Sequence, residues 1–106
     1  METSVAIKLN VNVDVNELFK SAFNFIYGGT NYQKQSVDGG TWISYTDGER
    51  IISCYFHPSK KHSATAQSKL LGAVISNQRS IAEAGEWACA CCKKKMGVGH
   101  TFYNTL

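Results

Sequence analysis

Apolar and polar residues alternate strictly near the start of the chain. Between residues 5 and 15 every odd position is valine, isoleucine or leucine, and the even positions include Lys8, Asn10, Asn12 and Asp14. A period of two is typical of a β-strand that turns one face to the core. The pattern therefore predicts a half-buried strand over residues 5–15.

A short helix is predicted to follow this strand. Asp14 can cap its first turn, and Glu17 three residues later completes a variant of the capping box. Apolar residues then recur at helical spacing as far as Ile26. Gly28-Gly29 is typical of a helix end, because glycine adopts the left-handed conformation at low cost.

Three short strands are predicted next, over residues 31–37, 41–46 and 49–57. Asp38-Gly39-Gly40 separates the first two strands, and Asp47-Gly48 is typical of a two-residue hairpin turn between the second and the third. The three segments together predict a small antiparallel sheet.

The turn at Asp47-Gly48 also predicts which residues of the hairpin face each other. With these two residues at its centre, Tyr45 pairs with Arg50 and Trp42 pairs with Ser53. One face of the hairpin is predicted to lie in the core, and it carries Ile43, Tyr45, Ile52, Cys54 and Phe56. The other face is unusually aromatic for a solvent-exposed surface, and it carries Trp42, Ser44, Ile51, Ser53, Tyr55 and His57.

A long helix is predicted over residues 63–95. Only Gly72 and Gly85 oppose it, each at about 1 kcal/mol. About 30 helical residues span roughly 45 Å, which exceeds the needs of a compact domain of this length. The apolar side is also wider than one contact with a sheet requires. We therefore expect a homo-oligomer formed through this helix; the alternative is a helix broken at Gly85 that folds back within a monomer.

These elements predict a single α+β domain over residues 1–106, in the order β-α-β-β-β-α. A small antiparallel sheet would pack against a long C-terminal helix, and residues 97–106 would form a short added strand or a loosely docked tail. No apolar run is long enough to cross a membrane, and the first residues lack the layout of a signal peptide. We therefore expect a cytoplasmic protein with no membrane partner.

Charge is distributed unevenly along the chain. The net charge is +3, which is too small to indicate a nucleic-acid binder by itself. Residues 1–50 carry four basic and six acidic side chains, whereas residues 51–106 carry seven basic and two acidic ones. The basic residues include Lys60-Lys61 and the run 93–95, which is also typical of the last turn of a helix. Such an asymmetry can attract an anionic partner.

Three of the four cysteines crowd into a few positions, which makes a poor disulfide framework. In a cytoplasmic protein we expect reduced thiols. Cys89 and Cys92 have the spacing of zinc ligands, and His100 is close by, but the second ligand pair of a closed zinc site is missing. The sequence therefore favours core cysteines over a zinc site, and no cofactor is predicted.

No catalytic constellation is found. Cys54 and His57 resemble a nucleophile and its base, but an odd spacing on a strand points them to opposite faces. The carboxylates form no convincing acid–base pair, and no common catalytic motif is present. The chain is therefore predicted not to be an enzyme.

An anion-binding site is predicted where the chain enters the long helix. Unpaired N–H groups at a helix start favour phosphate, and neighbouring lysines and hydroxyls add donors. Aromatic side chains on the adjacent strand face could stack on a base. The predicted ligand-binding residues are Lys60, Lys61, His62, Ser63, Thr65, Trp42, Tyr55 and His57, with Arg50 and Arg79 as secondary contributors.

The layout of a small sheet followed by one long C-terminal helix resembles small phage proteins that bind and sequester nucleotide signals of bacterial defence. No residue is carried over from that resemblance. We expect a non-catalytic protein that binds a nucleotide or nucleic acid. One alternative is a small adaptor or inhibitor that binds a protein through Trp42, Ile51 and Tyr55. The other is a zinc-stabilised module.

Overall fold

The described part of the chain is built mainly of antiparallel strands. The computed structural model describes residues 3–7, 14–24, 26, 32–94 and 97–106. These residues form one helix and eight strands: β1 Thr3–Ile7, α1 Val15–Phe23, β2 Gln33–Val37, β3 Gly40–Thr46, β4 Arg50–Phe56, β5 His62–Leu70, β6 Ala73–Ala82, β7 Trp87–Lys93 and β8 Val98–Thr105.

The strands form two sheets. The large sheet has the order β1-β7-β4-β3-β2, and the small sheet has the order β6-β5-β8. Helix α1 packs on one face of the large sheet, through Leu18 and Phe19 against Ile52 and Cys54. The small sheet covers the opposite face. The fold is thus three layers, with the large sheet in the middle.

Helix α1 begins where the sequence predicts. The Asp14 carboxylate accepts a hydrogen bond from the N–H of Glu17 at 2.8 Å, which caps the first turn. The helix ends earlier than predicted, because Asn24 adopts the left-handed conformation and donates its N–H to the carbonyl of Lys20. Gly28-Gly29 lies outside the described residues.

The hairpin of β3 and β4 forms, but its predicted register is wrong by two residues. Tyr45 pairs with Ile52 and Trp42 with Tyr55. Asp47 accepts hydrogen bonds from the two N–H groups that follow Gly48, which puts Gly48 and Glu49 at the centre of the turn. A shift of two residues leaves each side chain on its predicted face.

Both faces of the hairpin are buried, which explains why the second face is so aromatic. Ile51 and Tyr55 are fully buried beneath the small sheet. Small residues of the two sheets surround them, and this allows close approach of the layers; these residues are Ala64, Ala66, Ala82, Ala88 and Ala90. The face predicted as core is confirmed, since it packs under α1.

The predicted long helix over residues 63–95 is wrong. This segment forms β5, β6 and β7, so the α+β class and the β-α-β-β-β-α order are wrong as well. Gly72 and Gly85 both have a φ of 84°, and each lies in a turn between strands rather than inside a helix. The homo-oligomer was predicted through that helix, so its predicted interface is also wrong.

The ends of the chain fit the predictions only partly. Residues 97–106 contain β8, which pairs with β5, so the added strand is the correct one of the two alternatives. The N-terminal strand is confirmed for residues 5–7, whereas Val15 belongs to α1. Residues 8–13 lie outside the described residues.

A cationic groove at the end of the large sheet

The main candidate site is a groove of about 570 Å³ at one end of the large sheet, beside the last turn of α1. Three cationic side chains and one carboxylate contribute to it. Its lining residues are Phe23, Gly48, Glu49, Arg50, Cys91, Lys93 and Lys94. We call this site the cationic groove.

Strand pairing positions the cations of the groove. Arg50 begins β4 and lies directly opposite Lys93, the last residue of β7. The N–H of Lys94 donates to the carbonyl of Glu49 at 2.8 Å. Because the two kinds of residue pair alternate in an antiparallel ladder, Arg50 and Lys93 form a non-hydrogen-bonded pair, whose Cα atoms are about 4.5 Å apart. Like charges directly opposite each other destabilise a sheet, so this pair is not explained by folding alone.

The β3–β4 turn forms the rim of the groove, and Asp47 holds it in place. Its carboxylate accepts hydrogen bonds from the hydroxyl of Tyr45 and from the N–H groups of Glu49 and Arg50, at 2.6–2.9 Å. Burial raises the pKa of this carboxyl, but the hydrogen bonds and the Arg50 charge lower it by more. The net pKa lies below the ordinary value of 3.8, so Asp47 is ionised at neutral pH.

The chemistry of the groove is suited to binding an anion. Arg50 and Lys93 can donate to a phosphate or a carboxylate, and Phe23 adds an apolar edge. Burial raises the pKa of the Cys91 thiol to about 11, so this thiol stays protonated and is a poor nucleophile.

The predicted ligand-binding loop does not lead into a helix. Ser63 and Thr65 lie in β5, which pairs with β6 on one side and with β8 on the other, so no helix start offers free N–H groups there. Lys60 and Lys61 are exposed, and Lys61 lies 3.7 Å from the carboxylate of Glu83. The loop is basic, but the helical part of the predicted site is wrong.

The two histidines of the predicted site are buried and serve the fold. His57 accepts hydrogen bonds at Nδ1 from the N–H groups of Ser59 and Lys60, so Nε2 carries the proton and donates to the carbonyl of Asp38. The ring nitrogens of His62 lie 2.8 Å and 2.7 Å from the carbonyls of Lys60 and Glu86. Neither ring lines the cationic groove.

The aromatic residues of the predicted site pack between the sheets, where Tyr55 offers no stacking surface and Trp42 is partly buried. Tyr55 is fully buried and donates its hydroxyl to the carbonyl of Val37. Trp42 donates its indole N–H to the Ser53 hydroxyl and packs on Tyr103 at 4.9 Å between ring centroids. The protein interface predicted through Trp42, Ile51 and Tyr55 is therefore wrong, since Ile51 and Tyr55 have no exposed surface.

The two secondary arginines lie in different places. Arg50 lines the cationic groove. Arg79 is exposed on β6, opposite Thr65, on the outer face of the small sheet. The sequence predicts a helix end at Lys93 and Lys94, whereas Lys93 ends β7 and both lysines line the groove; Lys95 lies outside the described residues.

The residues of the alternative zinc site are not brought together. Cys89 is buried under α1, whereas Cys92 points to the opposite face of β7 and packs between the sheets. His100 lies on β8 and stacks on Phe102. Within the described ranges no three histidine, cysteine or acidic residues are grouped as metal ligands, and no described helix could span a membrane.

Comparison with known proteins identifies the family. A family model described as Bacteriocin (Lactococcin_972) matches residues 38–103. The chain belongs to this family. The solved structure of lactococcin 972 matches with a TM-score of 0.53 and 29% identity, over 63% of this chain and 98% of that chain. None of the curated proteins compared with the chain matches it.

Membership of the lactococcin 972 family corrects two predictions. Bacteriocins of this family are secreted, so the cytoplasmic location is wrong. Nucleotide binding is overturned as well, and the likeness to nucleotide-sequestering phage proteins rested on a helix that does not form. A bacteriocin family supports the prediction that the chain is not an enzyme.

The family match covers only part of the fold. It runs from the turn before β3 into β8, and it includes every residue of the cationic groove except Phe23. Nearly the whole of lactococcin 972 corresponds to less than two thirds of this chain. Strand β1, helix α1 and strand β2 lie outside the residues that the family model matches, and α1 contributes Phe23 to the groove.

Proposed function

We propose that this protein is a bacteriocin that inhibits susceptible bacteria by binding an anionic component of their cell envelope, without turnover. The observation that carries the proposal is the family match over β3–β8, which includes the small sheet and the two strands, β4 and β7, that carry the groove. A secreted protein meets the outside of its target cell first. The binding partner is accordingly sought among the phosphate- and carboxylate-bearing molecules found there.

The cationic groove is the proposed contact with that partner. It gathers Arg50, Lys93 and Lys94 around a single carboxylate, that of Glu49. Arg50 lies 3.7 Å from this carboxylate, and an ion pair of this length beside an exposed glutamate is weak. The Arg50 guanidinium can donate two hydrogen bonds to an anion in the groove, and Lys93 and Lys94 can donate to the same anion.

The basic loop at Lys60 and Lys61 is a second candidate contact. Both lysines are exposed, but Lys61 already faces Glu83, and neither lysine lines the cationic groove. The predicted contributions of Ser63 and Thr65 have no support at a strand position. The groove is therefore the stronger proposal.

Growth inhibition tests the proposed activity directly. The purified full chain is added to growing cultures of a panel of bacteria, with heat-unfolded protein as the control. We expect at least one susceptible strain, whose cells also deplete the protein from the medium. Absence of inhibition across the panel, with folded protein left in the supernatant, would contradict the proposal.

A further inference from the structure

Two cysteines face each other across neighbouring strands of the large sheet. Cys54 of β4 and Cys89 of β7 are direct partners in the strand register. Both are fully buried beneath α1. The structure holds both as free thiols.

The type of strand pair at Cys54 and Cys89 is suited to a covalent link. The N–H of Lys94 donates to the carbonyl of Glu49, so Glu49 and Lys94 form a hydrogen-bonded residue pair. The register continues without a bulge to Cys54 and Cys89, five pairs further along. Alternation along the ladder makes these cysteines a non-hydrogen-bonded pair with Cα atoms about 4.5 Å apart. Disulfides span Cα distances of about 4.4–6.8 Å.

No other pairing of the four cysteines fits this geometry. Cys89 and Cys91 are two residues apart on one strand, so they are separated by roughly 6.6 Å along it, and their side chains run parallel. Cys92 points to the other face of β7, into the space between the sheets. Cys91 lies opposite Ile52, so it is only a diagonal neighbour of Cys54.

We propose that Cys54 and Cys89 become joined by a disulfide when the protein is secreted, which makes them a modification site of the mature chain. The oxidant is a thiol–disulfide exchange partner, either a disulfide oxidoreductase or a small disulfide. One cysteine, as thiolate, attacks the oxidant's disulfide and forms a mixed disulfide. The second cysteine then displaces the oxidant's remaining sulfur. Two thiols of the chain lose two protons and two electrons, and the oxidant leaves as two thiols.

The bond must form before the fold is complete. Both cysteines have no exposed surface in the folded protein. Burial raises the pKa of the Cys54 thiol, and contact with Cys89 raises it further, so Cys54 offers almost no thiolate in the folded protein. Exchange therefore takes place while β4 and β7 pair and before α1 covers them.

The direct test is chemical mapping of the protein recovered from the medium of a secreting culture. The full chain is unfolded, its free thiols are alkylated without reductant, and the intact mass is measured. We expect two alkylated cysteines and a chain lighter by two hydrogen atoms. Digestion should give one linked pair of peptides, joining Cys54 to Cys89. Four alkylated cysteines, or a bond that includes Cys91 or Cys92, would overturn the proposal.

Two variants and a thermal measurement separate the bond from general effects of core substitution. Cys54→Ala with Cys89→Ala should abolish the linked peptides, and Cys91→Ala with Cys92→Ala should keep them. Should the first variant fail to fold, wild type refolded in reductant replaces it. The Tm of the protein without the bond should lie roughly 10 °C or more below that of the oxidised wild type. The bond would be rejected if the secreted protein has four free thiols and its Tm does not change when reductant is added. An absence of growth inhibition would count against the proposed function and would leave the proposed bond intact.

Discussion

Asp47 fixes the β3–β4 turn through a carboxylate that accepts three hydrogen bonds. The sequence marks this aspartate as a turn residue, because Asp-Gly is a strong hairpin signal. It does not reveal that the side chain captures two backbone N–H groups and so moves the centre of the turn by one residue. That capture decides which residues stand at the rim of the groove.

Replacing Asp47 by asparagine should destabilise the fold by about 1 kcal/mol at neutral pH, because an amide is a weaker acceptor than a carboxylate. The pKa of Asp47 is lowered in the folded protein, so its stabilising effect is full above pH 3.8 and is lost as the pH falls through the lowered pKa. Urea unfolding of both proteins should therefore show a difference at pH 7 that shrinks toward pH 2. An equal difference at both pH values would exclude a role for the charge.

His62 is buried without exposed surface and fills the space beside Tyr55, with the two rings perpendicular at 5.5 Å. His62→Ala removes the ring and takes away the contacts to two carbonyl oxygens. We expect a loss of about 3 kcal/mol in unfolding free energy. His100→Ala, on β8, is the control and should change stability by less than about 0.5 kcal/mol. Similar losses in both variants would contradict the assigned role of His62.

At the scale of elements, the glycines of the second half distinguish strands from a helix. Gly72 and Gly85 have positive φ, and an added Cβ would meet nothing within 4 Å at either. Alanine should therefore destabilise only through backbone strain, by about 1–2 kcal/mol. Inside a helix the same substitutions would stabilise the protein.

Gly48→Ala provides the matched control for these glycines, since Gly48 has open space and no positive φ. It should leave the Tm nearly unchanged, whereas Gly72→Ala and Gly85→Ala should each lower it. A rise in Tm for either of the latter two would favour the helix that the sequence pattern predicts.

The first half of the fold could be predicted because its signals are local. The cap at Asp14, the alternation of β3 and β4 and the choice of their core face all follow from neighbouring residues. The second half could not, because its inward positions carry small side chains. Ser76, Ser80 and Ala82 alternate with exposed residues on β6, and a hydrophobicity pattern does not distinguish them. Alanine also has a high intrinsic helix propensity, so a prediction made without knowledge of tertiary contacts favours a helix.

The candidate site was predicted only in part for a related reason. Arg50 was among the expected residues, but Lys93 and Lys94 looked like the basic end of a helix. Their position beside Arg50 depends on the pairing of β4 with β7, which are separated by two other strands in the sequence. Such a contact leaves no trace in local spacing.

At the scale of the whole molecule, the small sheet and α1 bury opposite faces of the large sheet and leave the groove open at its end. The groove combines three cations with one carboxylate, and two of the cations are held side by side by strand pairing. Electrostatic binding at such a site weakens as salt screens the charges. The protein's binding to susceptible cells should therefore fall as ionic strength rises.

The most direct test compares two charge-reversed proteins in the growth-inhibition assay, after circular dichroism has shown that both are folded. Lys93→Glu with Lys94→Glu reverses the charge of the groove, and Lys60→Glu with Lys61→Glu changes the net charge equally at the exposed loop. We expect the groove variant to lose inhibition and cell binding at least tenfold, and the loop variant to stay within about twofold of wild type, since the lost contacts are charge-assisted. Full activity of the groove variant, or a loss confined to the loop variant, would contradict the account.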